Sequence, residues 1–213
     1  MRNYFVMKFY YLLFVFILLS CSKSKEISST TVVALQPYKG FPTNKIDTLS
    51  KAISEFYAIN VVVLPAIDMP KSAFVNIKSP RYRADSIIKI QNRNRPDSLD
   101  FIVGLTENDI SVTKVNLDGS VKKPEWKYND FGVMGLAYRP GKSAIISSFR
   151  LKTNNSKLHF TRLKKVTIHE FGHNLGLPHC PNTHCVMTSA NEKISTIDTE
   201  KMELCTDCKA KLL

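Results

Sequence analysis

Residues 169–173 have the types and spacing of a metal site. They read His-Glu-Phe-Gly-His, the HExxH pattern. Histidines four residues apart in a helix lie one turn above each other on the same face, so both imidazoles can bind one metal ion. Glu170 lies one position further round the helix, where its carboxylate can act as a general base on a water at that metal. Apolar Ile168, Phe171 and Leu175 fall on the opposite side, so we expect the helix to pack on them and to direct both histidines towards a cleft.

The residues that follow extend the pattern to a third histidine. Residues 174–179 read NLGLPH and complete HExxHxxGxxH. Gly176 can adopt the left-handed conformation that ends a helix, and Pro178 prevents the helix from resuming, so the chain can turn back and bring His179 to the metal. Three protein ligands with one position left for water is the arrangement of a catalytic zinc site. The helix itself is predicted to begin after Thr161, which can serve as its N-cap.

Four of the five cysteines follow the third histidine and form two close pairs, Cys180 with Cys185 and Cys205 with Cys208. Two pairs at short spacing suit a tetrahedral zinc site with four thiolates, which would buttress the wall of the site formed by the histidines. Disulfide bonds are the alternative if the domain is exported to an oxidising compartment. The spacing by itself leaves both alternatives open.

Residues 169–208 read HExxHxxGxxHCx4CxMx17CxxC. This pattern resembles that of the archaemetzincins, a branch of the metzincin zinc peptidases. Weaker similarity extends upstream to residues 101–110 and 135–151. The resemblance therefore covers most of residues 32–213.

The resemblance implies a role for each residue of the pattern. The catalytic zinc would be bound by His169, His173 and His179, and Glu170 would be the general base. Met187 would be the Met-turn residue, an apolar floor beneath the metal. A second, structural zinc would be bound by the four cysteines, Cys180, Cys185, Cys205 and Cys208.

The activity that the resemblance implies is hydrolysis of peptide bonds in a peptide or protein substrate by zinc-bound water. Glu170 would take the proton from that water and later deliver it to the leaving amine. One alternative is a zinc-binding lipoprotein without catalysis, a scaffold or binding module, but such a site has no need of the base that Glu170 supplies. A second alternative is a metal-free interaction domain held together by disulfide bonds.

Residues 1–20 have the pattern of a targeting segment. Arg2 and Lys8 supply positive charge, and residues 9–19 are an unbroken apolar run that is short for a bilayer span and typical of a signal peptide. An uncleaved anchor helix is the alternative, and either segment would export the domain.

The end of that segment, Leu18-Leu19-Ser20-Cys21, resembles the lipobox of bacterial lipoproteins, in which the chain is cleaved before a cysteine that then carries lipid. We therefore expect a lipoprotein signal peptide over residues 1–20, lipidation of Cys21, and a polar tether over residues 21–31. The domain would be exported and lipid-anchored to a bacterial membrane, on the periplasmic or cell-surface side. A lipoprotein signal is a departure from the archaemetzincin pattern.

The elements that must position the site alternate between strands and helices. The strand candidates are residues 31–35, 59–64 and 99–105, and the helix candidates are Thr43–Tyr57, with Thr43 as a cap, and residues 84–90. This order implies right-handed crossovers and a mainly parallel sheet covered by helices. The near-continuous apolar strands agree, because parallel strands are buried on both faces.

Two further strand candidates, residues 131–138 and 143–149, flank the turn sequence Arg-Pro-Gly-Lys and predict an antiparallel hairpin. The resemblance implies that residues 131–138 are an antiparallel edge strand lining the cleft, along which an extended substrate could pair. Residues 115–128 have no assignment beyond a turn at Asp118-Gly119.

The predicted fold class is therefore α/β (α+β) and zincin-like, with a mostly parallel five-stranded sheet and one antiparallel edge strand. Residues 32–176 would form an N-terminal subdomain with the active-site helix, and residues 177–213 a small cysteine-rich subdomain.

The bulk composition is that of a globular protein. The chain has 213 residues, of which 44% are hydrophobic and 23% charged, and a formal net charge of +12. Removal of residues 1–20 would lower that charge to +10, because Arg2 and Lys8 are lost. No aromatic-interleaved basic stripe or nucleic-acid motif accompanies the charge, so we expect a solvated basic surface and no nucleic-acid partner. The sequence does not indicate an oligomeric state.

Overall fold

The structure is a computed structural model that describes residues 28–190 and 193–212. The predicted signal peptide, Cys21 and most of the predicted tether lie outside these residues. Among the described residues, no helix is both long enough and apolar enough to cross a membrane.

The described residues form strands and helices in alternation. The strands are β1 (Val32–Pro37), β2 (Asn60–Val63), β3 (Phe74–Asn76), β4 (Pro80–Arg83), β5 (Phe101–Thr106), β6 (Ile110–Val112), β7 (Phe131–Val133), β8 (Gly135–Ala137) and β9 (Ser143–Ser147). The helices are α1 (Thr43–Tyr57), α2 (Ala84–Asn94), α3 (Glu125–Tyr128), α4 (Ser156–Asn174), α5 (Ile194–Thr199) and α6 (Thr206–Ala210). Single 3-10 turns occupy Lys71–Ala73 and Phe149–Leu151.

The main sheet has five strands in the order β2-β1-β5-β9-β8. Strands β2, β1, β5 and β9 are parallel, and β8 pairs antiparallel with β9 at the edge. The predicted mostly parallel five-stranded sheet with an antiparallel edge strand is therefore confirmed. Every residue of β5 is buried, as the continuous apolar run indicates for a strand covered on both faces.

Helices cover both faces of this sheet. Ala144 and Ile146 of β9 belong to the core that α1 and α4 form on one face, whereas Ile145 packs with α2 on the other. This alternation follows from the two-residue period of a strand. The predicted packing of α4 is also confirmed, since Ile168 and Phe171 are fully buried.

A second sheet was not predicted. It has four strands in the order β3-β4-β6-β7, each of only three or four residues. The prediction of one strand over residues 131–138 is wrong, because β7 pairs with β6 in the second sheet and β8 pairs with β9 in the main sheet. Strands this short carry too few alternating residues for their pairing to be read from sequence.

Residues 115–128 also acquire an assignment. Val115 and Val121 form an antiparallel bridge around the turn at Gly119, and α3 follows. The two ends of this loop are joined by a hydrogen bond from the amide of Lys114 to the carbonyl of Tyr128.

Both predicted helix caps are wrong. Helix α4 begins at Ser156, and its N-cap is Asn155, whose side chain accepts from the amide of Leu158 at 3.0 Å. Thr161 lies inside the helix, where its hydroxyl donates to the carbonyl of Lys157. Thr43 is the first residue of α1, and no side chain caps that helix. The first turn of α4 is more exposed, so its apolar residues recur less regularly than in the rest of the helix. The sequence pattern therefore does not show where the helix begins.

Candidate active site

The end of α4 determines where the third histidine lies. Gly176 has a φ of +96°, and its amide donates to the carbonyl of His173 at 2.9 Å. The amide of Leu177 donates to the carbonyl of Gly172 at 3.0 Å. These two bonds form a Schellman motif, which needs a left-handed residue at the position of Gly176. The predicted glycine turn is thus confirmed, and it directs the chain back towards the helix.

This turn brings three histidines together. The rings of His169 and His173 have centroids 4.7 Å apart, and the ring of His179 lies 5.3 Å and 4.8 Å from them. The Nε2 atoms of His173 and His179 are 3.3 Å apart. One ring nitrogen of each histidine lies within 4.8 Å of the others, so the three can hold one metal ion.

Carbonyl groups fix the orientation of two of these rings. The Nδ1 atom of His169 lies 2.8 Å from the carbonyl of Val186, and Nδ1 of His173 lies 2.7 Å from the carbonyl of Leu177. Because a carbonyl oxygen only accepts, both Nδ1 atoms must carry the proton. The lone pair is then on Nε2, as in metal-binding histidines whose other nitrogen is hydrogen-bonded.

The charge state of the rings also fits a metal. The pKa of His169 is lowered to about 3, chiefly by burial and also by the neighbouring His173. Burial likewise lowers the pKa of His173 and of His179. All three rings are therefore neutral near pH 7, and neutral imidazole is the form that donates a lone pair to zinc.

Glu170 lies next to the histidines in a cleft of about 880 Å³, which His169 and His179 also line. His173, which was predicted to face the cleft, is buried. Burial raises the pKa of the Glu170 carboxyl to about 8. The edge strand touches this side chain: a Cβ added to Gly135 would lie 2.5 Å from Glu170 Cγ. Gly135 was not a predicted site residue, because its contact is 35 positions away in the sequence.

Met187 lies under the helix that carries the histidines. It is fully buried, and a Cβ added to Gly172 would lie 2.5 Å from its sulfur. The carbonyl of Met187 accepts from the amide of Cys180 at 2.8 Å. The methionine therefore packs directly against the helix that carries the histidines, and the glycine of the HExxH motif makes room for its sulfur.

The four late cysteines form a second cluster. Their Sγ atoms lie within 4.8 Å of one another, and Cys180 Sγ is 3.6 Å from Cys205 Sγ. All four thiols are free. The amide of Cys208 donates to Cys205 Sγ and lowers the pKa of that thiol to about 7. A sulfur separation of 3.6 Å is too long for a disulfide and suits thiols around one ion.

The short helix α5 forms one wall of the cleft and is joined to α4 by an ion pair and hydrogen bonds. Ile194 and Ile197 of α5 line the cleft together with Val166 of α4. Arg162 binds both carboxylate oxygens of Asp198 at 2.7 Å.

Buried Lys165 of α4 adds hydrogen bonds to the carbonyls at the end of α5. Its Nζ donates to the carbonyls of Ile197 and Glu200 at 2.6 Å and 2.5 Å. The sequence does not indicate these contacts, because a lone lysine or arginine in an amphipathic helix carries no signal of its partner.

The predicted site residues thus fall into two adjacent groups, the histidines with Glu170 and the four cysteines, with Met187 between them. Cys21 lies outside the described residues. The main sheet is mostly parallel and ends in an antiparallel edge strand. Beside it lie a helix that carries HExxH and a turn that brings back a third histidine. Together, this fold and this site define a zinc metallopeptidase.

The chain belongs to peptidase family M54, whose family model matches residues 30–213. Among its relatives, the archaemetzincin of Methanocaldococcus jannaschii is 30% identical over 186 residues, which cover 84% of this chain and 92% of that protein. The archaemetzincin of Haloquadratum walsbyi is 28% identical over 190 residues, covering 85% and 99%. The resemblance found in the sequence is thereby confirmed.

Solved structures agree with this assignment. The crystal structure of archaemetzincin from Archaeoglobus fulgidus, complexed with malonate, has a TM-score of 0.69 and 27% identity, and the match covers 85% of this chain and 99% of that one. Archaemetzincin from Methanopyrus kandleri has a TM-score of 0.71 and 25% identity, with 87% and 94% covered.

Proposed function

We propose that this metallopeptidase hydrolyses peptide bonds at the site formed by His169, His173 and His179, which hold a catalytic zinc through Nε2, with Glu170 as the general base. The observation that carries this proposal is the convergence of three neutral imidazoles beside a buried carboxylate in an open cleft. Three nitrogen ligands leave a coordination position for water, as catalytic zinc sites require.

Zinc, when bound there, lowers the pKa of a water and polarises the substrate carbonyl. Glu170 accepts the proton of the attacking water and delivers it to the leaving amine. Its raised pKa agrees with this role, because a group that both accepts and returns a proton works best when its pKa lies near the operating pH. The carbonyls of Val186 and Leu177 keep His169 and His173 in the tautomer with a free Nε2.

The substrate is a peptide in an extended conformation. Residues of β7 and β8 line the cleft, and β8 is the edge of the main sheet. A peptide pairing with this edge is held by its own backbone, which allows many side chains. The apolar wall of Val166, Ile194 and Ile197 then accommodates one apolar side chain near the scissile bond.

A second, structural zinc is held by Cys180, Cys185, Cys205 and Cys208. Support comes from the four free thiols within 4.8 Å of one another, since four sulfur atoms this close can surround one zinc ion. This ion would fix the segment that follows His179. Purified protein should then contain about two zinc ions per chain.

The test of the catalytic proposal is Glu170→Ala. This variant should bind zinc as the wild type does and lose peptidase activity on a quenched-peptide library by at least ~1,000-fold. Glu55→Ala, on the exposed face of α1, is the control and should leave activity unchanged. Chelation should abolish wild-type cleavage, and added zinc should restore it. Cleavage by Glu170→Ala at the wild-type rate would refute the assigned role, and a wild type that binds zinc without cleaving any peptide would favour the non-catalytic alternative.

The proposed location is the outer side of a bacterial membrane, with the domain anchored through lipid on Cys21 after removal of residues 1–20. The motif Leu18-Leu19-Ser20-Cys21 and the apolar run before it support this. Wild-type protein expressed in a bacterium should partition into detergent and incorporate labelled fatty acid. Cys21→Ala should do neither, and equal labelling of both proteins would contradict the anchor.

A further inference from the structure

The four late cysteines and the histidine site share one stretch of chain. His179 is followed directly by Cys180, and Cys185 is followed directly by Val186. The carbonyl of Val186 lies 2.8 Å from Nδ1 of His169 and fixes the orientation of that ring. A movement of Cys180 or Cys185 therefore reaches a histidine through the adjacent residue.

Backbone hydrogen bonds hold this stretch, residues 179–188, in one shape. The amide of Cys180 donates to the carbonyl of Met187 at 2.8 Å, and the amide of Thr188 donates to the carbonyl of Cys185 at 2.9 Å. Cys185 and Met187 are buried. A closely packed segment transmits a displacement to its neighbours, whereas a flexible loop would absorb it.

The cysteines also connect this stretch to the last helix. Cys205 is the N-cap residue of α6, and Cys208 lies within that helix. The amide of Cys205 donates to Sγ of Cys185 at 3.4 Å, and Sγ of Cys205 is 3.6 Å from Sγ of Cys180. A change in the bonding of these sulfurs therefore acts on the segment that carries His179.

Cys205 is the most accessible of the four cysteines. It is partly exposed, whereas Cys180, Cys185 and Cys208 are buried. A small oxidant in solvent therefore meets the Cys205 sulfur first, because oxidation of a cysteine depends on its exposure and thiolate character. Cys180 lies next to it and can supply the second sulfur of a disulfide. The sulfurs of a disulfide are about 2.05 Å apart, so these two must approach each other by about 1.5 Å.

We propose that Cys180 and Cys205 are a site of oxidative modification by peroxides, at which a disulfide replaces the structural zinc and displaces the histidine ligands of the active site. The proposal rests on the two zinc sites and the peptidase function proposed above. It goes beyond them by giving the cysteine cluster a regulatory role. The oxidised protein is the inactive form, and reduction in the presence of zinc restores the active form.

The modification consumes one peroxide and two protons. The Cys205 thiolate attacks one oxygen of the peroxide, the O–O bond breaks, and a sulfenic acid forms. The Cys180 thiolate then attacks the Cys205 sulfur, and the S–O bond breaks as the disulfide forms. Each oxygen leaves as hydroxide and takes up a proton to become water. The two cysteines lose the two electrons that the peroxide gains. Only Cys185 and Cys208 then remain as thiolate ligands, too few to hold a structural zinc.

The effect on the active site follows from the distances. The sulfur of Cys180 moves towards α6, and its backbone is continuous with His179. A shift of about 1 Å in a catalytic group costs ~100-fold in rate, so a movement of about 1.5 Å at the neighbouring sulfur is large enough to inactivate the enzyme.

Oxidation of the zinc-loaded protein tests the proposal. The full chain with Cys21→Ala, in detergent, keeps only the four cysteines of the cluster. Treatment with hydrogen peroxide should release about one zinc per chain to a chromophoric chelator. Mass spectrometry of the digested protein should show a disulfide between Cys180 and Cys205. Cleavage of quenched peptides should fall by at least ~10-fold and return on addition of dithiothreitol and zinc. This reversal excludes oxidised methionine as the cause, because dithiothreitol reduces disulfides readily and leaves methionine sulfoxide.

A second readout does not depend on activity. Competition with a chelator measures the affinity of the histidine site for zinc. This affinity should be at least ~10-fold weaker in the oxidised protein, since metal affinity depends on the groups that orient the ligands.

Cys205→His shows whether this sulfur starts the reaction. Three cysteines and one histidine form a common structural zinc site, so the variant can hold the metal but cannot form the disulfide. At the peroxide concentration that halves wild-type activity, it should keep more than ~80% of its own untreated activity. Asp207→His, at an exposed position of the same helix, is the matched control and should respond as the wild type does.

Three results would overturn the modification site: no zinc release by peroxide, a disulfide that excludes Cys180 or Cys205, or zinc release that leaves the affinity of the histidine site unchanged. A reduced, zinc-loaded protein that cleaves no peptide would refute the proposed function alone. In that protein, the disulfide and the weakened histidine site would still support the modification.

Discussion

Gly135 and Glu170 are in direct contact, although one is on the edge strand and the other on the active-site helix. The contact is so close that a Cβ on Gly135 would lie 2.5 Å from Cγ and 2.8 Å from Cδ of Glu170. The backbone of Gly135 is paired with Ile146 of β9, so the strand cannot retreat without breaking the sheet. The position of the carboxylate therefore depends on the absence of a side chain at residue 135.

Gly135→Ala should consequently reduce peptidase activity more than stability. The added methyl group pushes the Glu170 carboxylate aside, and a displacement of about 1 Å of a catalytic group costs ~100-fold in kcat/KM. Zinc content should stay unchanged, because the three atoms nearest to this methyl group all belong to Glu170, which is not a proposed zinc ligand. Ala137→Ser on the same strand is the control and should remain within ~3-fold of the wild type. An alanine at 135 with full activity would show that the carboxylate tolerates the shift.

Gly172→Ala should destabilise the folded protein. The new methyl group meets the buried sulfur of Met187 at 2.5 Å, and overpacking of this kind costs about 1–3 kcal/mol of unfolding free energy. Urea denaturation of zinc-loaded protein measures the loss. Met187→Ala in the same chain should recover part of the destabilisation, so the two substitutions should be non-additive. Strict additivity would mean that the methyl group and the sulfur do not meet.

Cys208→Ser should remove the structural zinc and keep the catalytic one. Metal analysis should fall from about two zinc ions per chain to about one, since three thiolates bind the ion less tightly. The unfolding free energy should drop by more than ~3 kcal/mol, because zinc binding contributes directly to folding. Lys209→Ser, at the neighbouring exposed position, should change neither quantity. If wild-type protein stripped of zinc and denatured without reductant shows no reactive thiols, the cysteines are in disulfide bonds.

Glu200 should make stability depend on pH. Burial raises the pKa of this carboxyl to about 8, and nearby Lys165 opposes the shift. The folded protein then holds a proton that the unfolded chain releases above its ordinary pKa of 4.5. Stability is therefore lost as pH rises from about 4.5 to about 8.

Glu200→Gln should abolish this loss. Relative to the wild type, the variant should be more stable at pH 8.5 than at pH 5 by about 1–2 kcal/mol, a value discounted for solvent screening. Urea denaturation of both proteins at the two pH values measures the difference, and pH effects on zinc binding cancel because both proteins share them. A difference that is constant with pH would mean that Glu200 is already ionised at pH 5.

The sequence by itself determined the chemistry of the site and the type of fold. Spacing of four residues in a helix places His169 and His173 on one face, and Gly176 ends that helix in the only backbone conformation that a Schellman motif allows. Alternation of apolar strands with amphipathic helices likewise determined the parallel sheet. These are local rules, in which each residue acts on neighbours within a few positions.

Only the tertiary structure decided what completes the site. The carbonyl of Val186 that orients His169 comes from a segment beyond the helix, and Gly135 reaches Glu170 from the edge strand. The second sheet, whose strand β7 lines the cleft, pairs strands of three or four residues. Such contacts join positions far apart in the chain, and they are stabilised by burial and close packing. A short sequence pattern cannot predict them, because it describes only residues that are near each other in the chain.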